Sequence, residues 1–242
     1  MSAPRRFFAE NIDFPESAEV CLEGEEFAHA KTVLRVEEGS EIVLLDNSGR
    51  EYSAIVQKIE KHRLFAHITG SQVGGKEPRV EIYLLCGALK GDKTELVVQK
   101  ATELGVSKIG VFSSEFCSAY MNDNKLERLN KVAREAAKQC LRSRAPEVTY
   151  FSDLNSALQS AREYSEKLFF CEFSSGSEGD LSSMKGPFAA VVGSEGGFSE
   201  SEFALAKSLG FKGMSLGKRI LRAETAAIAA CSVISYISGE LG

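Results

Sequence analysis

Three stretches of the chain gather residues able to bind or react. The first is Val191-Val-Gly-Ser-Glu-Gly-Gly-Phe-Ser-Glu-Ser-Glu202, where an apolar strand runs into Gly193, Gly196 and Gly197 before a helix begins. Ser199 and Glu202 have capping-box spacing, and Phe198 with Phe203 has that of a hydrophobic staple, so the helix start is chemically defined. Glycines between strand end and helix start let backbone groups approach a ligand with no Cβ in the way. In open α/β sheets this is where ligands sit; a tight turn needing positive φ would use the same glycines. Neither GxGxxG nor GxxxxGK[ST] occurs, so the dinucleotide and P-loop fingerprints are absent. Glu195 inside the loop disfavours a phosphate and tolerates a neutral or cationic ligand.

The second stretch, Leu216-Gly-Lys-Arg-Ile-Leu-Arg-Ala-Glu-Thr-Ala226, leads into an apolar helix over 227–237. Arg222, Glu224 and Thr225 stand at the mouth of that helix, where buried and exposed regions meet; a surface ion pair is the plainer account of them. Just upstream, Gly213-Met-Ser-Leu-Gly217 matches the GxSxG hydrolase elbow. That chemistry needs a histidine after the nucleophile, and none follows Ser215. The third stretch, Lys138-Gln-Cys-Leu-Arg-Ser-Arg-Ala-Pro146, places Lys138, Arg142 and Arg144 at a helix end. Cations there complement the helix dipole, and arginine forks also bind phosphate bidentately.

Composition narrows the classes these residues can serve. Of 242 residues, 43% are hydrophobic and 26% charged, as in ordinary globular proteins. No uncharged run is long enough for a spanning helix, and the opening MSAPRRFFAE lacks the apolar core of a secretory signal; a cytoplasmic protein is expected. The six cysteines stand singly and only three histidines occur, so no metal site is expected. The thiols read as reduced, buried small side chains. The net charge of −5 falls wholly on residues 1–75, leaving the remainder neutral. A nucleic-acid site must therefore be a local patch.

The spacing of apolar residues assigns the elements that carry these stretches. Phe27, Ala30, Val33 and Leu34 predict a short helix. The segments 41–46, 52–59 and 63–68 alternate as strands, with a turn at Asn47-Ser-Gly49. Gly/Ser-rich residues from 70 to Pro78 carry a linker at 73–78, between a small β domain (1–72) and a second domain (79–242). From 79 the rhythm is strand then helix. Val80–Leu85, Ile109–Phe112, Leu168–Phe173 and Phe188–Gly193 are apolar strands. A helix after Asp92, with Glu95 completing a capping box, ends at Gly105; another, over Leu126–Cys140, closes before Pro146. Such alternation predicts a mainly parallel α/β sheet.

Four motifs occur in order: Ala88-Leu-Lys-Gly-Asp-Lys-Thr-Glu95, Gln99-Lys-Ala-Thr-Glu-Leu-Gly-Val106, Gly193-Ser-Glu-Gly-Gly-Phe-Ser199 and Leu216–Ala226. Together they resemble the bacterial small-subunit ribosomal RNA uracil-N3 methyltransferases of the SPOUT (α/β-knot) superfamily. Pro4-Arg-Arg-Phe-Phe8 and His29-Ala-Lys-Thr-Val-Leu-Arg35 resemble that family's PUA-like domain. The resemblance covers essentially the whole chain. Two positions depart from the family pattern: Ser194 replaces a proline in the cofactor loop, and Leu141 replaces a glycine.

The resemblance implies a PUA-like RNA-binding β-barrel followed by a trefoil-knotted domain, although knots are rare in general. It implies S-adenosylmethionine as cofactor, held by loops around 171–175, 193–197 and 216–222. The cofactor set is then Cys171, Glu172, Val192, Gly193, Glu195, Gly196, Gly197, Leu216, Gly217, Ile220, Leu221 and Thr225. The cofactor's cationic sulfonium suits Glu195. Arg222 would stabilise charge on the uracil oxygen, Glu224 would orient Arg222, and Glu195 is a less favoured base. Arg5, Arg6, His29, Arg35, Lys90, Lys138, Arg142 and Arg144 would contact the RNA, 16S ribosomal RNA in the small subunit, with Lys31 beside them. A homodimer packed through the knot would cover the apolar last helix. The alternative is a non-catalytic RNA-binding or ribosome-associated protein that retains the fold; the intact glycine loops and Arg222, Glu224 and Thr225 favour the enzyme.

Overall fold

The computed structural model describes residues 5–172 and 180–241. Pro4 of the amino-terminal motif and residues 173–175 of the expected cofactor loop lie outside the described residues. Two compact units divide the chain: Met1–Glu77 with Ala137–Ala145, and Pro78–Ala136 with Pro146–Gly242. No helix among the described residues is long and apolar enough to cross a membrane.

The first unit contains β1 (Arg5–Phe8), β2 (Glu19–Glu23), α1 (Gly24–Ala28) running into a π-turn at His29–Val33, β3 (Glu41–Leu45), β4 (Arg50–Ile59) and β5 (Arg63–Val73). Its sheet has the order β1-β3-β4-β5-β2, antiparallel except for β1 beside β3. Along β4 every second residue, Tyr52, Ala54 and Val56, is buried, as a half-buried strand requires. Register shifts beside Ser53 and Val56 bend the long β4–β5 pair. Phe7, Leu22, Phe27, Ile42, Leu44 and Ile68 then meet in one core. The edge strands β1 and β2 do not pair with each other, so this is a half-barrel. Residues 70–73, read as the start of a linker, continue β5.

The second unit contains β6 (Ile82–Gly87), α2 (Lys93–Glu103), β7 (Lys108–Phe112), α3 (Asp123–Gln139, its last three residues falling in the first unit), β8 (Glu147–Phe151), α4 (Leu154–Ser160), β9 (Glu166–Phe170), β10 (Phe188–Val192), α5 (Glu200–Ser208), β11 (Lys212–Met214) and α6 (Ala223–Ile237). All six strands are parallel, in the order β11-β9-β10-β6-β7-β8. The inner strands β6 and β10 are buried at every residue, which explains why they read as unbroken apolar runs. Ile82, Leu84, Ala190 and Val192 face α2, α3 and α6; Tyr83, Leu85, Ala189 and Val191 face α4 and α5. The chain leaves edge strand β11 and returns to mid-sheet, where Ala227, Ala230, Cys231 and Ile234 of α6 pack on β6 and β10. The other side of α6 is only partly covered: Ile228, Ala229 and Val233 are half-buried, and Tyr236 is 69% exposed.

Three local expectations need correction. Asp92 makes no side-chain cap on α2; Thr94 Oγ1 instead accepts from Leu89 N–H at 3.0 Å, and Glu95 pairs with Arg128 at 2.9 Å. Among the cysteines only Cys86 and Cys231 are buried, where desolvation pushes both thiols up, while Cys21 is exposed. Several cations read as RNA contacts serve the interior of the first unit. Arg6 is buried and donates to Glu51 Oε1 at 2.7 Å and to the Arg142 carbonyl at 3.3 Å. Lys138 is buried against Glu26 at 3.1 Å, with His29 Nδ1 at 3.3 Å. Arg142 is buried against Glu77 at 3.0 Å.

Glu77 explains why residues 137–145 group with the first unit. Its Oε1 accepts from Ser143 N–H at 2.8 Å and Arg144 N–H at 2.9 Å, and its Oε2 accepts from Arg142. Successive backbone N–H groups beside a guanidinium make an anion site, and a carboxylate of the same chain fills it. The exposed Arg144 donates to the Ser48 carbonyl. Lys31 and Arg35 are exposed and Arg5 is half-buried.

Candidate active site

The loops that follow β9, β10 and β11 meet at the carboxyl ends of the strands, around a cavity of about 930 Å³. In the second loop Gly197 N–H donates to the Ser194 carbonyl at 3.0 Å, closing a turn in which Gly197 has φ +70°. Such a φ favours glycine. The turn is anchored by Phe198, whose ring lies 4.2 Å from Phe169; Phe203 lies 5.8 Å from the same ring, so the expected staple is made through Phe169. The Ser199–Glu202 capping box is present in full. On the strand side, a Cβ at Gly87 would run into the Ser194 backbone. In the third loop Ser215 Oγ accepts from Gly217 N–H at 3.2 Å, and Gly217 has φ +102°. Ser215 therefore shapes a turn.

Most of the expected cofactor residues line the cavity. Cys171 and Glu172 border it from the first loop; Val192, Gly193, Glu195 and Gly197 from the second; Leu216, Gly217, Ile220 and Leu221 from the third. Gly196 and Thr225 do not. The space that a side chain at Gly196 would need is filled by Phe116, whose Cβ and carbonyl oxygen would each lie 2.6 Å from a Cβ there. That glycine admits the loop after β7, not a ligand.

The expected reacting groups also border the cavity, but in a different pairing. Glu224 does not meet Arg222. Its Oε2 lies 3.9 Å from Lys93 Nζ, and that same ammonium donates to Glu195 Oε1 at 3.1 Å. Lys90 contributes its backbone N–H to Glu195 Oε1 at 3.1 Å, while its side chain is exposed. Burial pushes the Glu195 carboxyl up, yet the hydrogen bonds from Lys93 and Lys90 outweigh it and hold its pKa below the usual carboxylate range. Glu224 Oε2 is buried and, among the described residues, has no hydrogen bond. Arg222 sits at the N-cap of α6, exposed, and among the described residues its guanidinium makes no ion pair. Lys93 belongs to the Ala88–Glu95 motif. Its one sequence signal is a cation in the first turn of a helix, where the dipole is unfavourable.

The family model of an RNA methyltransferase domain matches residues 76–235, and that of an RNA methyltransferase PUA domain matches residues 22–69. The chain belongs to the RNA methyltransferase family. It is 30% identical, over 96% of each chain, to the ribosomal RNA small subunit methyltransferase E of Bacillus subtilis. Among solved structures, a Legionella pneumophila protein in complex with bound S-adenosylmethionine aligns over 97% of this chain and 98% of its own, at 29% identity and a TM-score of 0.88. The ribosomal RNA small subunit methyltransferase E of Neisseria gonorrhoeae, bound to S-adenosylmethionine, covers the same shares at 29% identity and a TM-score of 0.85. The architecture is thus a PUA-like domain followed by an α/β-knot methyltransferase domain.

The cavity of this RNA methyltransferase fits the cofactor held by those two structures. Phe170, Val192, Met214, Leu216 and Leu221 give it apolar walls, and two carboxylates share one ammonium within it. The Glu195–Lys93–Glu224 cluster is one negative charge in excess, with a buried carboxylate oxygen lacking a hydrogen bond. That suits a ligand with an apolar body and a net positive charge.

Proposed function

We propose that the protein transfers the methyl group of S-adenosylmethionine to N3 of a uridine in 16S ribosomal RNA of the small subunit, acting as a homodimer. The observation that carries the reading is the cavity built by the loops after β9, β10 and β11, with the Glu195–Lys93–Glu224 cluster on its wall, in a chain of the RNA methyltransferase family. The backbones of Gly193, Glu195, Gly197, Leu216, Gly217 and Leu221 would hold the cofactor, whose sulfonium supplies an electrophilic methyl and leaves as a neutral thioether.

The chain's own residues then have three tasks. Held in line, donor and acceptor gain much of the acceleration that positioning provides, roughly 7–11 kcal/mol in well-oriented reactions. Uracil N3 must lose its proton, to water or to a carboxylate bordering the cavity, and the loss delocalises negative charge onto the flanking carbonyl oxygens. Arg222, which makes no ion pair among the described residues and borders the cavity, would meet that charge. Glu195 is the weaker candidate base, since Lys93 and Lys90 already occupy its Oε1 and depress its pKa. The N3 edge takes part in base pairing, so the target must be unpaired or turned out of its helix.

The half-covered apolar side of α6 supports the dimer, because a second copy would remove Ile228, Val233 and Tyr236 from water. Arg5, Arg35 and Arg144 remain available to RNA in the first unit. The deciding experiment incubates the enzyme with methyl-labelled cofactor and either small subunits or naked 16S RNA, then digests the RNA to nucleosides for mass spectrometry. Labelled 3-methyluridine is the expected product; a different methylated nucleoside overturns the N3 assignment, and none at all overturns the enzyme.

A further inference from the structure

Charge on the lining of the cavity falls into two groups, with Lys218, Arg219 and Arg222 bordering it beside the two carboxylates. Those carboxylates, Glu195 and Glu224, share Lys93. On the loop 217–222, Lys218, Arg219 and Arg222 are exposed, and among the described residues none of their side chains makes an ion pair. Ile220, between them, is 90% exposed. The base of this loop is fixed by the Ser215–Gly217 hydrogen bond at 3.2 Å. The cofactor carries one carboxylate but a net positive charge, so three cations on one loop exceed what it can neutralise. Their complement is a polyanion. Arg6, Lys138 and Arg142, by contrast, are already neutralised by Glu51, Glu26 and Glu77.

We propose that loop 217–222 is an RNA-docking element, in which Lys218 and Arg219 hold phosphates of the substrate strand flanking the target nucleotide and Ile220 packs against the bases beside it. The proposal rests on the RNA methyltransferase reading. Phosphate contacts position a strand without reading its sequence, and an exposed aliphatic side chain gives an unstacked base an apolar surface to cover. Arg222, nearest α6, keeps its place at the uracil.

The test uses the full chain, labelled single-stranded oligouridine and S-adenosylmethionine. For Lys218→Ala/Arg219→Ala we expect oligouridine affinity at low salt to fall at least fivefold. The slope of log affinity against log salt should shrink by about 1.4, two phosphate contacts at about 0.7 each on a single strand. Cofactor affinity should stay within twofold and the melting temperature should not move. Lys218→Arg/Arg219→Lys should keep the wild-type slope. Ile220→Ser should weaken oligouridine binding with the slope unchanged, and Ile220→Leu should restore it. An unchanged affinity and slope in the double alanine variant would overturn the proposal. So would a parallel loss of cofactor affinity, or a change from dimer to monomer that makes the loop a subunit contact. A wild-type protein that binds oligouridine but neither binds cofactor nor methylates RNA sinks the enzymatic reading itself, a result separate from the behaviour of the variants.

Discussion

Lys93 Nζ lies 3.1 Å from Glu195 Oε1 and 3.9 Å from Glu224 Oε2, so one ammonium in the first turn of α2 ties the loop after β10 to the first turn of α6. Without it, two carboxylates face each other at the edge of the cavity.

Lys93→Met should therefore untie the loop, and cofactor affinity at neutral pH should fall about tenfold, about 1.4 kcal/mol. Lys93→Arg should recover most of it. The pH dependence has a definite sign. Glu195 is held below the usual carboxylate pKa in the folded protein, so its ion pair persists above that range and is lost as pH falls through the depressed value. Removing Lys93 takes away the main opponent of desolvation, and the acid limb of cofactor binding should move to higher pH. Calorimetric titration of both proteins across the acid range measures the shift; a limb that stays in place refutes the pairing.

Gly196→Val tests the same loop from its other side. A Cβ there would stand 2.6 Å from both the Cβ and the carbonyl oxygen of Phe116, and a backbone oxygen cannot swing aside as a side-chain tip can. The loop after β10 must shift, carrying Gly193, Glu195 and Gly197 with it. Cofactor affinity should drop at least tenfold, about 1.4 kcal/mol. Phe116→Ala in the same background should not restore it, because the carbonyl remains. Full rescue would show that only the phenyl side chain was in the way.

What the sequence reveals depends on how local the cause is. The β10 strand, the glycine turn and the Ser199–Glu202 box are decided within a dozen residues, and each stands where the spacing places it. The set of residues bordering the cavity was also largely legible, because strand-end loops bind ligands in parallel sheets. Pairings between distant segments were not. Nothing near Arg142 announces Glu77, and nothing near Glu224 announces Lys93, so a buried structural cation and an exposed functional one look alike in one dimension. The Asp92–Glu95 spacing misled for a related reason. Thr94 and Arg128 were better partners for the neighbouring backbone and for Glu95 than the cap was.

Leu141 carries a backbone cost that a glycine would avoid. It has φ +64° just past α3, where Arg142 N–H donates to the Ala137 carbonyl at 2.9 Å and Leu141 N–H to the Lys138 carbonyl at 3.4 Å. This is a Schellman ending, whose left-handed residue is usually glycine. A left-handed conformation costs a side-chain-bearing residue roughly 1–2 kcal/mol. Glycine's greater freedom in the unfolded chain returns about 0.4–1 kcal/mol of that gain. Leu141→Gly should thus stabilise by about 0.5 kcal/mol and raise Tm by roughly 1–2 °C. A lower Tm would mean that packing of the half-buried leucine outweighs the backbone strain.

Arg142 and Arg35 were both read as RNA contacts, and the structure separates them. Arg142 has a side chain only 4% exposed, and Glu77 joins it to the N–H groups of Ser143 and Arg144. Removing one member of a buried pair strands the other, at a cost of about 3 kcal/mol. Arg142→Met and Glu77→Gln should each destabilise the first unit by about that much, visible as a lower urea midpoint. Arg35 is exposed, so Arg35→Ala should change stability by less than about 0.5 kcal/mol. Its effect should appear only in RNA binding, as a shallower salt dependence. If Arg142→Met leaves the urea midpoint unchanged while weakening RNA binding as Arg35→Ala does, the arginine leaves Glu77 to meet phosphate and the carboxylate is a stand-in for RNA. If the midpoint falls as expected, the cation belongs to the fold, and the RNA contacts of the first unit must come from residues such as Arg5, Arg35 and Arg144.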